Sequence, residues 1–108
     1  MPKVPRDPSN PAYQFIPREL KDALPRLYSK ENQTDPIVYL KFFTPDSSWT
    51  WYLTEYSPEE RLCFGLVVGD DRELGYFSLD ELEDVRGPMG LPIERDLSWQ
   101  PMPLSQCR

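Results

Sequence analysis

The sequence predicts an α+β fold, in which an antiparallel β-meander of about four strands is joined by a short N-terminal helix and a capped helix near 79–86. Runs of β-branched and aromatic residues between positions 37 and 77 alternate with turn signals, as is typical of antiparallel strands. The stretch "SLDELEDVRG" at 78–87 carries both a helix start and a helix stop. At 108 residues the chain has the length of one domain.

The N-terminal region divides into a proline-rich arm, 1–17, and the start of a single α+β domain, 18–108. Five of the thirteen prolines lie in this arm, where they disfavour both helix and central strand. We expect the arm to be extended and mobile unless it docks onto the domain through Tyr13, Phe15 and Ile16. A helix of about two turns is predicted between Pro17 and Pro25, with an apolar face at i, i+3 and i+4 formed by Leu20, Ala23 and Leu24.

Two strands and a tight turn are predicted from "DPIVYLKFFTPDSSWTWYLTE" at 35–55. In the first strand the wholly apolar face is assigned to the core and consists of Val38, Leu40 and Phe42. In the second strand Trp49, Trp51 and Leu53 alternate with Thr50, Tyr52 and Thr54, so the set that contains the tryptophans is expected to face inward. The aromatic side chains left as candidates for an outward contact surface are Tyr39, Phe43 and Tyr52.

The second half predicts two more strands, a helix and an edge strand. "RLCFGLVVGDD" and "RELGYFS" form the next hairpin, and "IERDLSW" adds a short edge strand. Ser78 and Glu81 make a capping box, and Gly87 with Pro88 ends the helix. In this helix Leu79, Leu82 and Val85 share one face, at i, i+3 and i+6. The predicted core contains Leu40, Phe42, Trp49, Trp51, Leu53, Phe64, Leu66, Val68, Leu79 and Leu82.

Several chemistries are excluded by residue types that the chain lacks. Without histidine there is no Cys–His zinc site, Ser–His–Asp triad or Cys–His nucleophile. Cys63 and Cys107 are expected to be free thiols. The glycines do not have the spacing of a phosphate-binding loop, and no cofactor is expected.

With no apolar run of membrane-spanning length and no signal peptide, we expect no membrane association and place the protein in the cytoplasm.

The charge is concentrated in the second half of the chain. Residues 1–45 carry seven basic and five acidic side chains, whereas residues 46–108 carry five and thirteen. Such an acidic chain disfavours direct nucleic-acid binding and favours a protein partner with a basic surface, although solubility alone also accounts for acidity. The predicted partner-binding residues are Asp70, Asp71, Glu73, Asp80, Glu81, Glu83, Asp84, Tyr39, Phe43 and Tyr52.

One kind of catalytic site, a carboxylate–metal site, is a candidate. Asp70, Asp71 and Glu73, approached by Glu55, are oxygen ligands of the kind that divalent metals prefer. A nuclease of this kind would also need basic groups for the phosphates, and the last lysine is Lys41. The hydroxyl-bearing turn formed by Thr44, Asp46, Ser47 and Ser48 needs no catalytic explanation.

The ordered motifs resemble a known family. "DPIVYLKFFTPDSSWTWYLTE", "FGLVVG" and "ELGYFSLDELEDVRGPMGLPIERDLSW", within residues 24 to 104, resemble a small bacterial family classed as a domain of unknown function. Its members look like accessory proteins of plasmids, conjugative elements and other mobile DNA. Related proteins often have a longer segment where this chain has only "YSPEERLC".

Two functions follow from these observations. The first is a non-enzymatic accessory protein of mobile DNA that acts by protein–protein binding, as an acidic inhibitor of a host nucleic-acid-binding defence enzyme of the anti-CRISPR or anti-restriction type. The alternative is a carboxylate–metal-dependent enzyme that acts on nucleic acid. A melting temperature that rises with magnesium, manganese or calcium would favour the alternative.

Overall fold

The structure, a computed structural model, describes residues 3–28 and 34–107; the first two positions of the predicted arm and positions 29–33 and 108 of the predicted domain lie outside the described residues. Seven strands are described: β1 (Ile37–Val38), β2 (Leu40–Phe43), β3 (Thr50–Ser57), β4 (Leu62–Val68), β5 (Arg72–Ser78), β6 (Glu94–Arg95) and β7 (Met102–Pro103). One α-helix, α1 (Leu79–Asp84), follows β5, and 3₁₀ turns occur at Pro11–Tyr13, Arg18–Leu20 and Leu104–Gln106.

Five strands form one antiparallel sheet in the order β5-β4-β3-β2-β6, and β1 pairs with β7 in a two-stranded sheet. The predicted α+β class and the antiparallel meander are confirmed. The "IERDLSW" edge strand is confirmed as well, since β6 pairs with the outer side of β2. The predicted N-terminal helix is present but shorter than two turns: a single 3₁₀ turn at Arg18–Leu20 leaves Ala23 exposed and Leu24 buried.

The first face of the sheet carries the larger hydrophobic cluster. Trp51 and Leu53 of β3 point to this face, because they alternate with Tyr52. The helix contributes Leu79 and Leu82 to the same cluster. Burying side chains of this size stabilises the fold by roughly 1.5–3 kcal/mol each. The other buried members are Phe15, Leu24, Leu40, Phe42, Tyr56, Cys63, Phe77 and Ile93.

The N-terminal arm contributes to this first face. The ring of Phe15 packs against Phe42 with centroids 5.0 Å apart. The guanidinium of Arg6 lies 4.1 Å from the centre of the Phe15 ring and donates a 3.0 Å hydrogen bond to the carbonyl of Ile93. The described part of the arm is therefore docked through Phe15, which is the alternative that its apolar residues suggested.

The second face is covered by the C-terminal segment. Tyr52 is 2% exposed and lies in a cluster with Val38, Leu66 and Cys107. The indole of Trp99 packs on the Tyr52 ring at 5.8 Å and donates to the carbonyl of Val38. The expectation that Tyr52 faces outward is wrong, because residues far along the chain cover the face opposite the tryptophans.

Four further core assignments need correction. Val38 does not share a face with Leu40 and Phe42, since the strand is interrupted at Tyr39 and β1 turns to pair with β7. Trp49 is 41% exposed rather than buried. Two other predicted core residues, Phe64 and Val68, are only partly buried.

Helix α1 begins as predicted and ends early. The Ser78 hydroxyl accepts a hydrogen bond from the Glu81 amide at 3.4 Å, which caps the first turn. The helix stops at Asp84, and Val85 takes an extended conformation, so its side chain, 37% exposed, leaves the face that Leu79 and Leu82 share. The chain turns at Gly90, whose φ of 82° is readily adopted only by glycine.

Candidate functional site

The exposed indole of Trp49 lies at one end of the first face. Trp49 precedes β3 and stacks on Trp51, with ring centroids 6.0 Å apart and an interplanar angle of 30°. Its backbone is held by the turn, where Thr44 N–H donates to the Trp49 carbonyl at 3.1 Å. A large exposed indole with a fixed backbone and a stacked partner is suited to contact another molecule.

The Trp49 indole lines an acidic pocket. It is an open pocket of about 230 Å³ lined by Trp49, Val67, Asp70, Asp71 and Glu73. The hairpin between β4 and β5 supplies the carboxylates, all of them exposed. An aromatic side chain beside exposed carboxylates favours a long cationic side chain, since its aliphatic stem can pack on the indole and the carboxylates accept charged hydrogen bonds.

Trp49 also lines an apolar groove. This open groove of about 380 Å³ is lined by Trp49, Trp51, Val85, Gly87 and Pro88, together with Thr44, Ser47 and Arg86. The Arg86 guanidinium donates to main-chain carbonyls, including those of Val4 and Glu83. The surface around Trp49 therefore presents an apolar groove and an acidic pocket that share one aromatic wall.

Asp46 fixes the wall of this groove. Its Oδ2 accepts hydrogen bonds from the amides of Met89 at 2.8 Å and Leu91 at 3.4 Å, which ties the turn before β3 to the loop after α1. The carboxylate fills the space beside Gly87, where a Cβ atom would fall 1.5 Å from Oδ1. Asp46 was interpreted as a turn residue, and the structure gives it this additional role.

The acidic residues of α1 lie away from the pocket. The hairpin tip precedes β5 and α1 follows it, so the two acidic groups are separated by a strand roughly 20 Å long. Glu83, one of the predicted partner-binding residues, is partly buried and accepts a 2.8 Å hydrogen bond from Arg61. This hydrogen bond is the main cause that raises the pKa of Arg61. Asp80 also pairs with Arg61, whereas Glu81 and Asp84 are exposed.

The three aromatic candidates are not brought together with the acidic ones. Tyr52 is buried, as described above. Tyr39 is partly buried and packs against the first-face cluster. Phe43 is partly buried in β2, where it lies opposite Thr50 and Glu94.

The described residues show no group of three or more acidic or thiol side chains placed to hold a metal ion. Glu55, suggested as a fourth ligand, is buried on β3 and accepts a hydrogen bond from the Tyr28 amide at 2.8 Å. Both cysteines are free thiols, and burial raises the pKa of Cys63. In the part of the chain that the structure describes, no helix is long and apolar enough to cross a bilayer.

Sequence reasoning identified the acidic half of the pocket and missed the aromatic half. Asp70, Asp71 and Glu73 were proposed from their charge, whereas Trp49 was assigned to the core by its alternation with Trp51. Its position directly after the "TPDSS" turn was the available signal, because connecting segments lie at the surface and often carry binding residues.

Comparison with known proteins gives a family. No curated protein and no solved structure matches the chain. A family model described as "Protein of unknown function (DUF2958)" matches residues 15–107, which include the whole five-stranded sheet, α1 and both clusters. The chain therefore belongs to the DUF2958 family, whose function is not defined by that description.

Proposed function

We propose that this chain is a non-enzymatic binding protein that recognises a basic protein surface through Trp49 and the acidic hairpin. The observation that carries the proposal is the pocket in which an exposed indole lies beside Asp70, Asp71 and Glu73. A lysine or arginine side chain of the partner would pack its aliphatic stem against the indole and hydrogen-bond the carboxylates. The apolar groove beyond Trp49 would take a neighbouring aliphatic side chain.

The acidity of the chain supports the same class of partner. The net charge is −6, and the thirteen acidic side chains of residues 46–108 include the whole hairpin tip. A negative field steers basic surfaces toward the site and repels phosphate. The acidic face of α1 contributes less than its composition suggests, because Asp80 and Glu83 pair with Arg61.

We further propose that the partner is a host nucleic-acid-binding defence enzyme, of the CRISPR or restriction type, and that the protein acts as its inhibitor within a mobile genetic element. The resemblance of the sequence motifs to mobile-element accessory proteins supports this setting. A defence nuclease holds its substrate in a basic groove, which is the surface that an acidic protein with an aromatic anchor would occupy. Stoichiometric protein should then suppress DNA cleavage by the target nuclease, and Trp49→Ala should relieve the suppression.

The site can be tested with an arginine-rich peptide as the probe, measured by titration calorimetry. Replacing the three hairpin carboxylates (Asp70→Asn, Asp71→Asn, Glu73→Gln) should weaken binding by about tenfold or more. The matched control removes three charges from other exposed positions (Glu59→Gln, Glu60→Gln, Glu81→Gln) and should have a much smaller effect. Equal losses in the two variants would show that only the net charge matters and would overturn the site.

A further inference from the structure

Strand β5 is a long and regular edge strand of the main sheet. It pairs with β4 over seven residues, from Arg72 opposite Val68 to Ser78 opposite Leu62, without a bulge or a proline. Among the described strands none pairs with its outer side. Long regular edges usually associate with another strand unless charges, prolines or bulges prevent it.

The opposite edge of the same sheet is protected. Strand β6 has two residues and directly follows the buried Pro92 and Ile93. The Arg95 side chain donates to the carbonyls of Gln14 and Pro11, which brings the N-terminal segment over this edge. The sheet therefore has one short edge that the N-terminal segment covers and one long, regular edge at β5.

The middle of β5 exposes two large apolar side chains around a glycine. Leu74 is 58% exposed and Tyr76 is 50% exposed, and both lie on the second face of the sheet. Tyr76 packs edge-on against Phe64 at 5.0 Å and lies 6.3 Å from Tyr28, so it continues an aromatic surface. Between them Gly75 has open space, since a Cβ atom there would meet nothing within 4 Å.

We propose that two copies of the chain associate through β5, which pairs antiparallel with β5 of the second copy about a two-fold axis at Gly75. The main sheets of the two copies then form one continuous ten-stranded sheet. In this register Leu74 of each copy lies opposite Tyr76 of the other, so each exposed apolar side chain gains an apolar neighbour.

The sequence of β5 favours a second copy over an unrelated strand. The same two-fold register sets Glu73 opposite Phe77 and Arg72 opposite Ser78, so no two like charges are opposed. Ser78 directly precedes α1, whose first turn carries Asp80 and Glu81, so Arg72 of one copy lies toward these two carboxylates of the other. Pairing through β5 requires no binding at the Trp49 pocket.

Sedimentation over a concentration series tests the association. We expect the wild-type chain to convert from monomer to dimer as its concentration rises. Leu74→Glu should raise the dissociation constant of the dimer by about tenfold or more, because it places a carboxylate opposite Tyr76 of the second copy. Leu97→Glu is the matched control, because Leu97 is 57% exposed and lies elsewhere on the surface. A wild-type chain that stays monomeric throughout, or a dimer that Leu74→Glu leaves unchanged, would overturn the proposal.

Cysteine cross-linking tests the register. Both natural thiols are buried, so an introduced thiol is the reactive one. In antiparallel pairs, opposite Cα atoms are about 4.5–5.5 Å apart, within the range that a disulfide spans. Gly75→Cys should therefore oxidise to a covalent dimer, whereas Glu73→Cys should do so much more slowly and Gly75→Ser not at all. Faster cross-linking of Glu73→Cys than of Gly75→Cys would contradict the register about Gly75.

Discussion

The indole of Trp49 lies directly against Gly69, so closely that a Cβ atom at position 69 would fall 2.4 Å from Cη2 of the ring. The glycine before the acidic hairpin thus sets the position of the aromatic wall that the pocket and the groove share. We expect Gly69→Ala to displace the exposed ring and weaken binding of an arginine-rich peptide several-fold, while the melting temperature changes little, because an exposed ring can move at small cost.

Gly75→Ala is the matched control for that substitution. Its added methyl group meets no atom within 4 Å and should leave peptide binding unchanged. Unaltered peptide affinity in Gly69→Ala, together with unaltered tryptophan fluorescence, would show that Trp49 does not rest on Gly69.

The two stacked tryptophans should differ sharply in their contribution to stability. Trp51 is buried in the first-face cluster, so Trp51→Ala should lower the free energy of unfolding by about 3–5 kcal/mol, a large fraction of the total for a small domain. Trp49→Ala should lower it by less, because Trp49 is 41% exposed and Trp51 only 7%. Urea unfolding measures both values, and a larger loss in Trp49→Ala would reverse the assignment.

The link between Asp46 and the loop after α1 should stabilise the groove. Asp46→Ala removes the acceptor of the Met89 and Leu91 amides, and charged hydrogen bonds of this kind contribute roughly 1.5–3 kcal/mol each. Hydrogen exchange should show faster exchange of the Met89 amide in this variant. Asp71→Ala, at the exposed hairpin tip, is the control, and equal protection of Met89 in both variants would argue against the link.

The helix cap makes a separate contribution. Ser78→Ala should lower stability by about 1 kcal/mol, since its hydroxyl accepts the Glu81 amide in the first turn of α1. Ser48→Ala, in the exposed turn before Trp49, should have almost no effect. Chemical denaturation distinguishes the two, and indistinguishable midpoints would mean that the cap does not stabilise the helix.

The ion pair between Arg61 and Glu83 should be weak and dependent on salt. Both side chains are more than a third exposed, so we expect Glu83→Gln to change the free energy of unfolding by about 0–1 kcal/mol, with a smaller change at high salt. Asp84→Asn on the same helix serves as the comparison. A loss well above this range that persists in concentrated salt would indicate a pair far better shielded from water.

Local patterns predicted the elements whose signals lie within a few residues. The Ser78–Glu81 capping box gave the start of α1, and alternation gave the burial of Trp51 and Leu53. Alternation specifies a face but not how far along the strand that face is covered. Trp49 shares its face with Trp51, but it lies at the open end of the sheet and is exposed.

Long-range contacts account for the other differences between the predicted and the observed structure. Tyr52 is buried because Trp99 and Cys107, about fifty residues later, cover the second face, and nothing near Tyr52 in the sequence indicates this. A register shift between Leu53 and Glu55 returns Tyr56 to the first face, which a strict two-residue period assigns to the second. Gly69 became part of the candidate site only through its contact with Trp49.

The two cysteines occupy opposite faces of one sheet, and this gives the protein a pair of intrinsic reporters of local opening. Cys63 belongs to the first-face cluster and Cys107 to the second, and burial raises the pKa of both thiols, which suppresses the reactive thiolate. Alkylation of Cys107 therefore follows detachment of the C-terminal segment, whereas alkylation of Cys63 follows separation of α1 and the N-terminal arm from the sheet. The ratio of the two labelling rates would show which layer separates first when the native state fluctuates.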